Sequence, residues 1–96
     1  MDVRKDTTFG SLKKYRDATD IVYKMLHYMR SEPKTQTDLM FEARMSYTQL
    51  KDYKNMLLEK GLIKITKSFK TSEAYIVTEK GIEVIQAIEK LRELLK

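Results

Sequence analysis

The chain has 96 residues, 42% of them apolar and 34% charged, with a formal net charge of +5. That is the size and composition of one small folded domain with a single core, and not that of a disordered chain. It contains no cysteine, which excludes disulfides and thiolate metal sites. No apolar run approaches the roughly 20 residues that span a bilayer. Met1 to Asp6 has no apolar segment behind it, so a secretory signal is not expected and a cytoplasmic, nucleoid-associated protein is.

Charge is unevenly spread. Residues 1–16 carry five Lys and Arg against two Asp and Glu, and residues 44–70 carry seven against two. Residues 17–43 and 71–96 are slightly acidic, with three against five and four against five. A localised basic footprint of this kind attracts polyphosphates. Residues 1–16, with Lys13-Lys14-Tyr15-Arg16 and no apolar periodicity, are expected to form a basic, flexible arm.

The first helix is expected from about Asp17 to Arg30, where Ile21, Met25, Leu26, Tyr28 and Met29 make one apolar stripe. Pro33 ends it by pushing its predecessor out of the helical region. A second helix follows from about Gln36 to Ala43, capped by Thr35 or Thr37, with Asp38 in its first turn and Leu39, Met40 and Ala43 facing inward. Arg44-Met45 makes a turn, and Ser46 caps a third helix from Tyr47 to Lys60. Leu50, Tyr53 and Leu57 point into the core, so Thr48, Lys51, Asp52 and Asn55 lie on the opposite face, flanked by Tyr47, Gln49 and Lys54. Gly61 stands where a helix ends in the left-handed conformation.

Leu62 to Lys67 alternates apolar with polar as a half-buried strand does, and Ala74 to Val77 is its partner. Residues 68–73 form the intervening loop, with Phe69 expected to fold back on the sheet. Thr78 caps a last helix that runs to the end of the chain. In it Val84, Ile88, Leu91 and Leu95 recur at spacings of 4, 3 and 4, a seam of two heptads widened by Leu94. Ile82 and Ile85 are assigned to the core. The later leucines find no partner in so small a chain, and such apolar patches mark interfaces. Val84, Ile88, Leu91, Leu94 and Leu95 are therefore expected to join two copies into a homodimer.

Helix, tight turn, helix, β-hairpin is the plan of a winged helix-turn-helix: an α+β, mainly α fold of three core helices, a hairpin wing and a C-terminal helix. The expected organisation is an arm over 1–16, the winged-helix domain over 17–78 and the dimerisation helix over 79–96. Such a domain lays its second helix-turn-helix helix in the DNA major groove, N-terminal residues nearest the bases. Ser46, Tyr47, Thr48, Gln49 and Asn55 are the candidate base-reading or phosphate-contacting residues, and Gln pairs bidentately with adenine. Arg44, Lys51 and Lys54 are candidate phosphate contacts, as are Lys64, Lys67 and Lys70 on the wing. Asp52 argues for selectivity, because near phosphates it costs affinity unless it accepts from a cytosine amine or steadies a lysine.

No catalytic set can be assembled. His27 stands alone, Gly10, Gly61 and Gly81 form no phosphate-cradling loop, and Glu79 and Glu83 read as a solvated helix face. Neither an enzyme, a cofactor nor a metal is expected. The partners expected are double-stranded DNA and a second copy of the chain.

The run Thr37 to Tyr53, with Ser46-Tyr47-Thr48-Gln49-Leu50-Lys51-Asp52-Tyr53 its most specific part, closely resembles the helix-turn-helix of small archaeal chromatin-type proteins of about ten kilodaltons. Leu57-Leu58-Glu59-Lys60-Gly61-Leu62-Ile63 and Thr78-Glu79-Lys80-Gly81 continue the similarity, which covers residues 16–85. The resemblance implies DNA binding, dimerisation through an antiparallel coiled coil of C-terminal helices, and a DNA-facing position for Ser46, Tyr47, Gln49 and Lys51. The C-terminal helix is shorter than in that family, and the basic arm before Arg16 is additional. A transcriptional regulator is the leading expectation, with an architectural DNA-coating protein and a protein-interaction module as alternatives.

Overall fold

The apolar stripe of the first helix does build the centre of the molecule. In a computed structural model, which describes residues 18–67 and 73–96, helix α1 is present over residues 18–28, and Met25, Leu26 and Met29 are fully buried. A turn closes it at residues 29–30. The chain then forms strand β1 (Lys34–Thr35), α2 (Gln36–Ala43), α3 (Tyr47–Glu59), β2 (Ile63–Lys67), β3 (Glu73–Val77) and α4 (Glu79–Leu94). Four helices and a three-stranded antiparallel sheet, among the described residues, make a winged helix fold.

The sheet order is β1-β3-β2. Ile63 pairs with Val77, Ile65 with Tyr75 and Lys67 with Glu73, while Lys34 and Thr35 pair with Tyr75 and Ala74. The short β1 is not anticipated by the sequence reading, which holds only a two-stranded hairpin. Two polar residues after a proline carry no alternation, and only the free edge of β3 makes them a strand. Thr35 then leaves the sheet as the N-cap of α2: its hydroxyl accepts from the Asp38 amide at 3.1 Å, and the Asp38 carboxylate accepts from the Thr35 amide at 3.1 Å. This reciprocal capping box satisfies two otherwise orphaned donors.

Leu39 of α2, Leu50 and Leu57 of α3, Ile63, Tyr75 and Val77 of the sheet and Ile85 of α4 close around the α1 stripe. The α3–β2 connection is tightly specified. Gly61 adopts φ 74°, the Leu62 amide donates to the Leu57 carbonyl at 2.9 Å and the Gly61 amide to Leu58 at 3.0 Å. This Schellman ending is open to glycine at little cost. It also fixes Leu62, whose carbonyl accepts the Thr78 amide at 3.0 Å. Thr78 caps α4 by accepting from the Gly81 amide at 3.1 Å. Gly81 needs its missing side chain: a Cβ there would lie 2.2 Å from the Leu62 carbonyl oxygen and 2.4 Å from Val77 Cγ2.

Two expectations from periodicity need correction. Alternation along β2 would bury Ile65 with Ile63, yet Ile63 is 2% and Ile65 is 54% exposed. Ile65 lies on the edge strand β2, opposite Tyr75 of the central strand, which is buried, so the cover over the sheet reaches Tyr75 and not Ile65. Second, the later part of α4 does have a partner within the chain, namely α1. Tyr23 Oη donates to Glu89 Oε2 at 2.9 Å, Arg92 pairs with Asp20, and the Arg92 guanidinium lies 4.3 Å from the Tyr23 ring centroid. Val84 is partly buried against the core and Ile88 is only 8% exposed. These two residues of the expected seam are thus engaged inside the chain, whereas Leu91, Leu94 and Leu95 are 51%, 69% and 75% exposed.

Candidate nucleic-acid interface

The outward face of α3 is prepared by the turn before it. Arg44 ends α2 in the left-handed conformation, φ 54° and ψ 50°, with its amide donating to the Met40 carbonyl. The Met45 amide donates to the same carbonyl at 3.2 Å, and its side chain is buried. A non-glycine residue held left-handed costs about 1–2 kcal/mol. The cost is borne where the two helices must cross, and it leaves the Arg44 side chain in solvent. Ser46 starts α3, its hydroxyl accepting from the Gln49 amide at 3.2 Å. Its side-chain oxygen is thereby committed to capping.

With Leu50 and Leu57 fully buried, the helical period sends Thr48, Gln49, Lys51, Asp52 and Asn55 outward, and all five are exposed. Tyr47 is also exposed, at the start of the helix. Lys64 and Lys67 on β2 are exposed, and strand alternation assigns them to opposite faces of the wing. Lys70 and Phe69 lie outside the described residues, as does the whole arm over 1–16. Arg44, Ser46 to Gln49, Lys51 and Asn55 are thus all exposed along the turn and α3.

Lys54 behaves differently from Lys51. It is half-buried, its Nζ donates to Gln36 Oε1 at 3.2 Å and it stands 5.3 Å from the centroid of the Tyr75 ring. Burial pushes the Tyr75 phenol up to about 12, helped by its hydrogen bond to Glu73 at 2.7 Å and by that carboxylate's charge. The sequence reading missed this group. Gln36, Lys54, Glu73 and Tyr75 are scattered along the chain, and none belongs to a motif.

Charge pairing separates this surface from the rest. Among the described residues the ion pairs join Lys34 to Glu32 and Glu42, each at 3.1 Å, and Arg92 to Asp20. The two carboxylates that accept from Lys34 also hold its ammonium above the usual lysine value. Arg44, Lys51, Lys64 and Lys67 take part in none of these pairs, and neither does Asp52, so Asp52 steadies no lysine among the described residues. Phe41 on α2 is 85% exposed, a side chain the sequence reading did not single out. Among the described residues no helix is long and apolar enough to cross a membrane, and no cluster of three or more His, Cys, Asp or Glu could hold a metal ion.

Solved structures share this architecture. MepR of S. aureus, in a DNA complex, superposes with a TM-score of 0.69 over 97% of this chain and 85% of that chain, at 14% identity. BldR, a transcriptional regulator from Sulfolobus solfataricus, gives 0.68 over 98% and 80%, at 19% identity. These two likenesses concern the fold alone. Sso10a-2, a DNA-binding protein from Sulfolobus solfataricus, gives 0.63 over 80% of this chain and 82% of that chain, at 28% identity. No curated protein matches the chain in sequence. A family model described as winged helix-turn-helix matches residues 15–96, and with its helix, left-handed turn, second helix and paired strands the chain belongs to the winged helix-turn-helix family.

Proposed function

We propose that this protein is a homodimeric binder of double-stranded DNA that acts as a transcriptional regulator. In this reading α3 enters the major groove and the wing follows the backbone. One observation carries it: the outward face of α3 and the turn before it present cations with no ion-pair partner among the described residues, beside amide and hydroxyl side chains suited to base edges. Gln49 and Asn55 are the base-reading candidates. Arg44, Lys51, Lys64, Lys67 and Lys70 are the phosphate contacts, and Ser46, Tyr47 and Thr48 border the groove. Ser46 contributes chiefly by capping the helix. The 28% identity to Sso10a-2, itself a DNA-binding protein, supports the reading and favours kinship with the small archaeal chromatin-type proteins.

The dimer is formed by the end of α4, with residues 17–78 as the DNA-binding domain and residues 79–96 as the dimerisation helix. Leu91, Leu94 and Leu95 form an apolar end that α1 leaves uncovered, and a second copy buries it. Val84 and Ile88 support that end from the core side, because the chain itself occupies them.

The test is fluorescence anisotropy of labelled duplex at several salt concentrations, with excess unlabelled random duplex as competitor. Binding that weakens steeply with salt supports the phosphate contacts. Retention of one sequence against the competitor supports a regulator, and its absence supports architectural coating. No binding at low salt refutes the DNA reading and favours a protein-interaction module. Sedimentation of a Leu91→Ser, Leu94→Ser, Leu95→Ser variant tests the dimer. The wild type is expected as a dimer and the variant as a monomer, and two identical profiles refute this interface.

A further inference from the structure

Lys51 and Lys54 are three residues apart on one helix and read alike in the sequence, but their ammonium groups have different surroundings. The Lys54 ammonium touches two other parts of the fold. It donates to Gln36, the first residue of α2, and lies against the ring of Tyr75, the middle residue of the central strand. Tyr75 in turn donates to the carboxylate of Glu73, which opens β3 and pairs across the sheet with Lys67, the last residue of β2. Glu73 and Lys67 are the two roots of the wing. A line of contacts thus runs from the middle of α3, through one aromatic ring, to the base of the wing. Because its carboxylate is turned back onto its own strand by Tyr75, Glu73 makes no ion pair with Lys67.

We propose that Lys54 is a positioning residue that sets the wing against the recognition helix, and that it does not contact DNA. The proposal rests on the DNA-binding reading of α3 and the wing. An ammonium over an aromatic face is held by the ring quadrupole, and a charged donor to an amide oxygen is stronger than a neutral one. Reaching a phosphate would break both contacts at once and release the Tyr75 ring. Lys51, exposed and outside the ion pairs, has no such contacts to break.

The two roles differ in a measurable exponent. Each phosphate contact steepens the dependence of log K on log salt by about 0.9 on duplex DNA, whereas a positioning residue leaves that slope alone. Lys54→Met, Lys54→Arg and Lys51→Ala are compared with the wild type by anisotropy across a salt series. Amide and tyrosine-ring NMR shifts at Lys67, Glu73 and Tyr75 are recorded without DNA. Lys54→Met is expected to weaken binding about threefold to tenfold with an unchanged slope, as residues that act without touching the ligand do. It should also move the three wing-root signals, and Lys54→Arg should restore both affinity and shifts. Lys51→Ala should flatten the slope by about 0.9 for each copy bound, about 1.8 for the dimer, and leave the wing-root signals in place. A slope that flattens in Lys54→Met as it does in Lys51→Ala overturns the proposal and makes Lys54 a phosphate contact. Unmoved wing-root shifts, or unaltered affinity, overturn it as well. Absence of wild-type binding refutes the DNA reading, and the DNA role of Lys54 with it, while the spectra still report whether the brace exists.

Discussion

The turn-and-α3 surface and the α1–α4 seam both carry long basic side chains, and they use them in opposite ways. In the seam Arg92 has an aspartate and an aromatic ring, and Tyr23 has a glutamate. On the other surface Arg44, Lys51, Lys64 and Lys67 have no carboxylate partner among the described residues. The density of cations therefore says less about a binding surface than their pairing does. A paired arginine joins two helices of one chain, whereas an unpaired lysine on a rigid helix is available to an outside anion. Lys54 has no carboxylate partner either, but an amide oxygen and an aromatic ring hold it within the chain, although it sits on the other surface.

The largest expected effect comes from the joint that holds the two regions in one body. Gly81→Ala should gain up to about 1 kcal/mol in helix propensity. The added methyl, however, meets the Leu62 carbonyl, which the Thr78 amide holds in place. Overpacking of this kind costs about 3 kcal/mol, so the clash wins and urea denaturation should show net destabilisation. A stability equal to or above that of the wild type would mean that α4 slides freely on the α3–β2 connection.

On the unpaired surface, Lys51→Ala should weaken duplex binding by about eightfold for each copy's lost contact near 0.1 M salt, with stability unchanged within about 0.5 kcal/mol. An anisotropy titration paired with denaturation checks both halves. Loss of stability with intact binding would invert the contrast between the two regions.

The Tyr75 link is visible in alkali. Its phenol is raised in the fold, so the folded chain keeps a proton that the unfolded chain releases. The contribution is fully present below about pH 10, the unfolded value. It is lost as pH rises from there through about 12, where the folded group ionises. Stability should fall across this window by up to about 1.4 kcal/mol per pH unit from this one group. Tyr75→Phe should fall less steeply over the same range in pH-dependent thermal melts, and parallel curves would dissociate Tyr75 from the effect. The smallest expected change is in the seam: Arg92→Ala should cost about 0.5 kcal/mol, since exposed ion pairs contribute little. Its salt slope for duplex should equal that of the wild type, and a flatter slope would move Arg92 to the other class.

Local signals carried most of the fold into the sequence. The capping residues Ser46 and Thr78, the pair Thr35 and Thr37 from which the structure takes Thr35, the glycine at 61, the proline at 33 and the helical stripes of α1 and α3 act within a few residues of themselves, so they can be read in order along the chain. The outward face of α3 follows from the same arithmetic: once Leu50 and Leu57 point in, Thr48, Lys51, Asp52 and Asn55 must point out. Strand β1 was not legible, because Lys34 and Thr35 become a strand only when β3 offers an edge. The exposure of Ile65 was not legible either, because alternation assigns a face but does not say how far the covering helices reach.

By itself, then, the sequence determined the order of the helices and the hairpin, their caps and the cation-rich character of α3 and the wing, because propensity, capping and periodicity are short-range. Only the tertiary structure decided which cations are spent within the chain and which remain open, and how much of α4 the chain covers for itself. Those outcomes depend on groups as distant in sequence as Lys54 and Gln36, or Arg92 and Asp20, meeting across packed elements, and no local pattern encodes such a meeting.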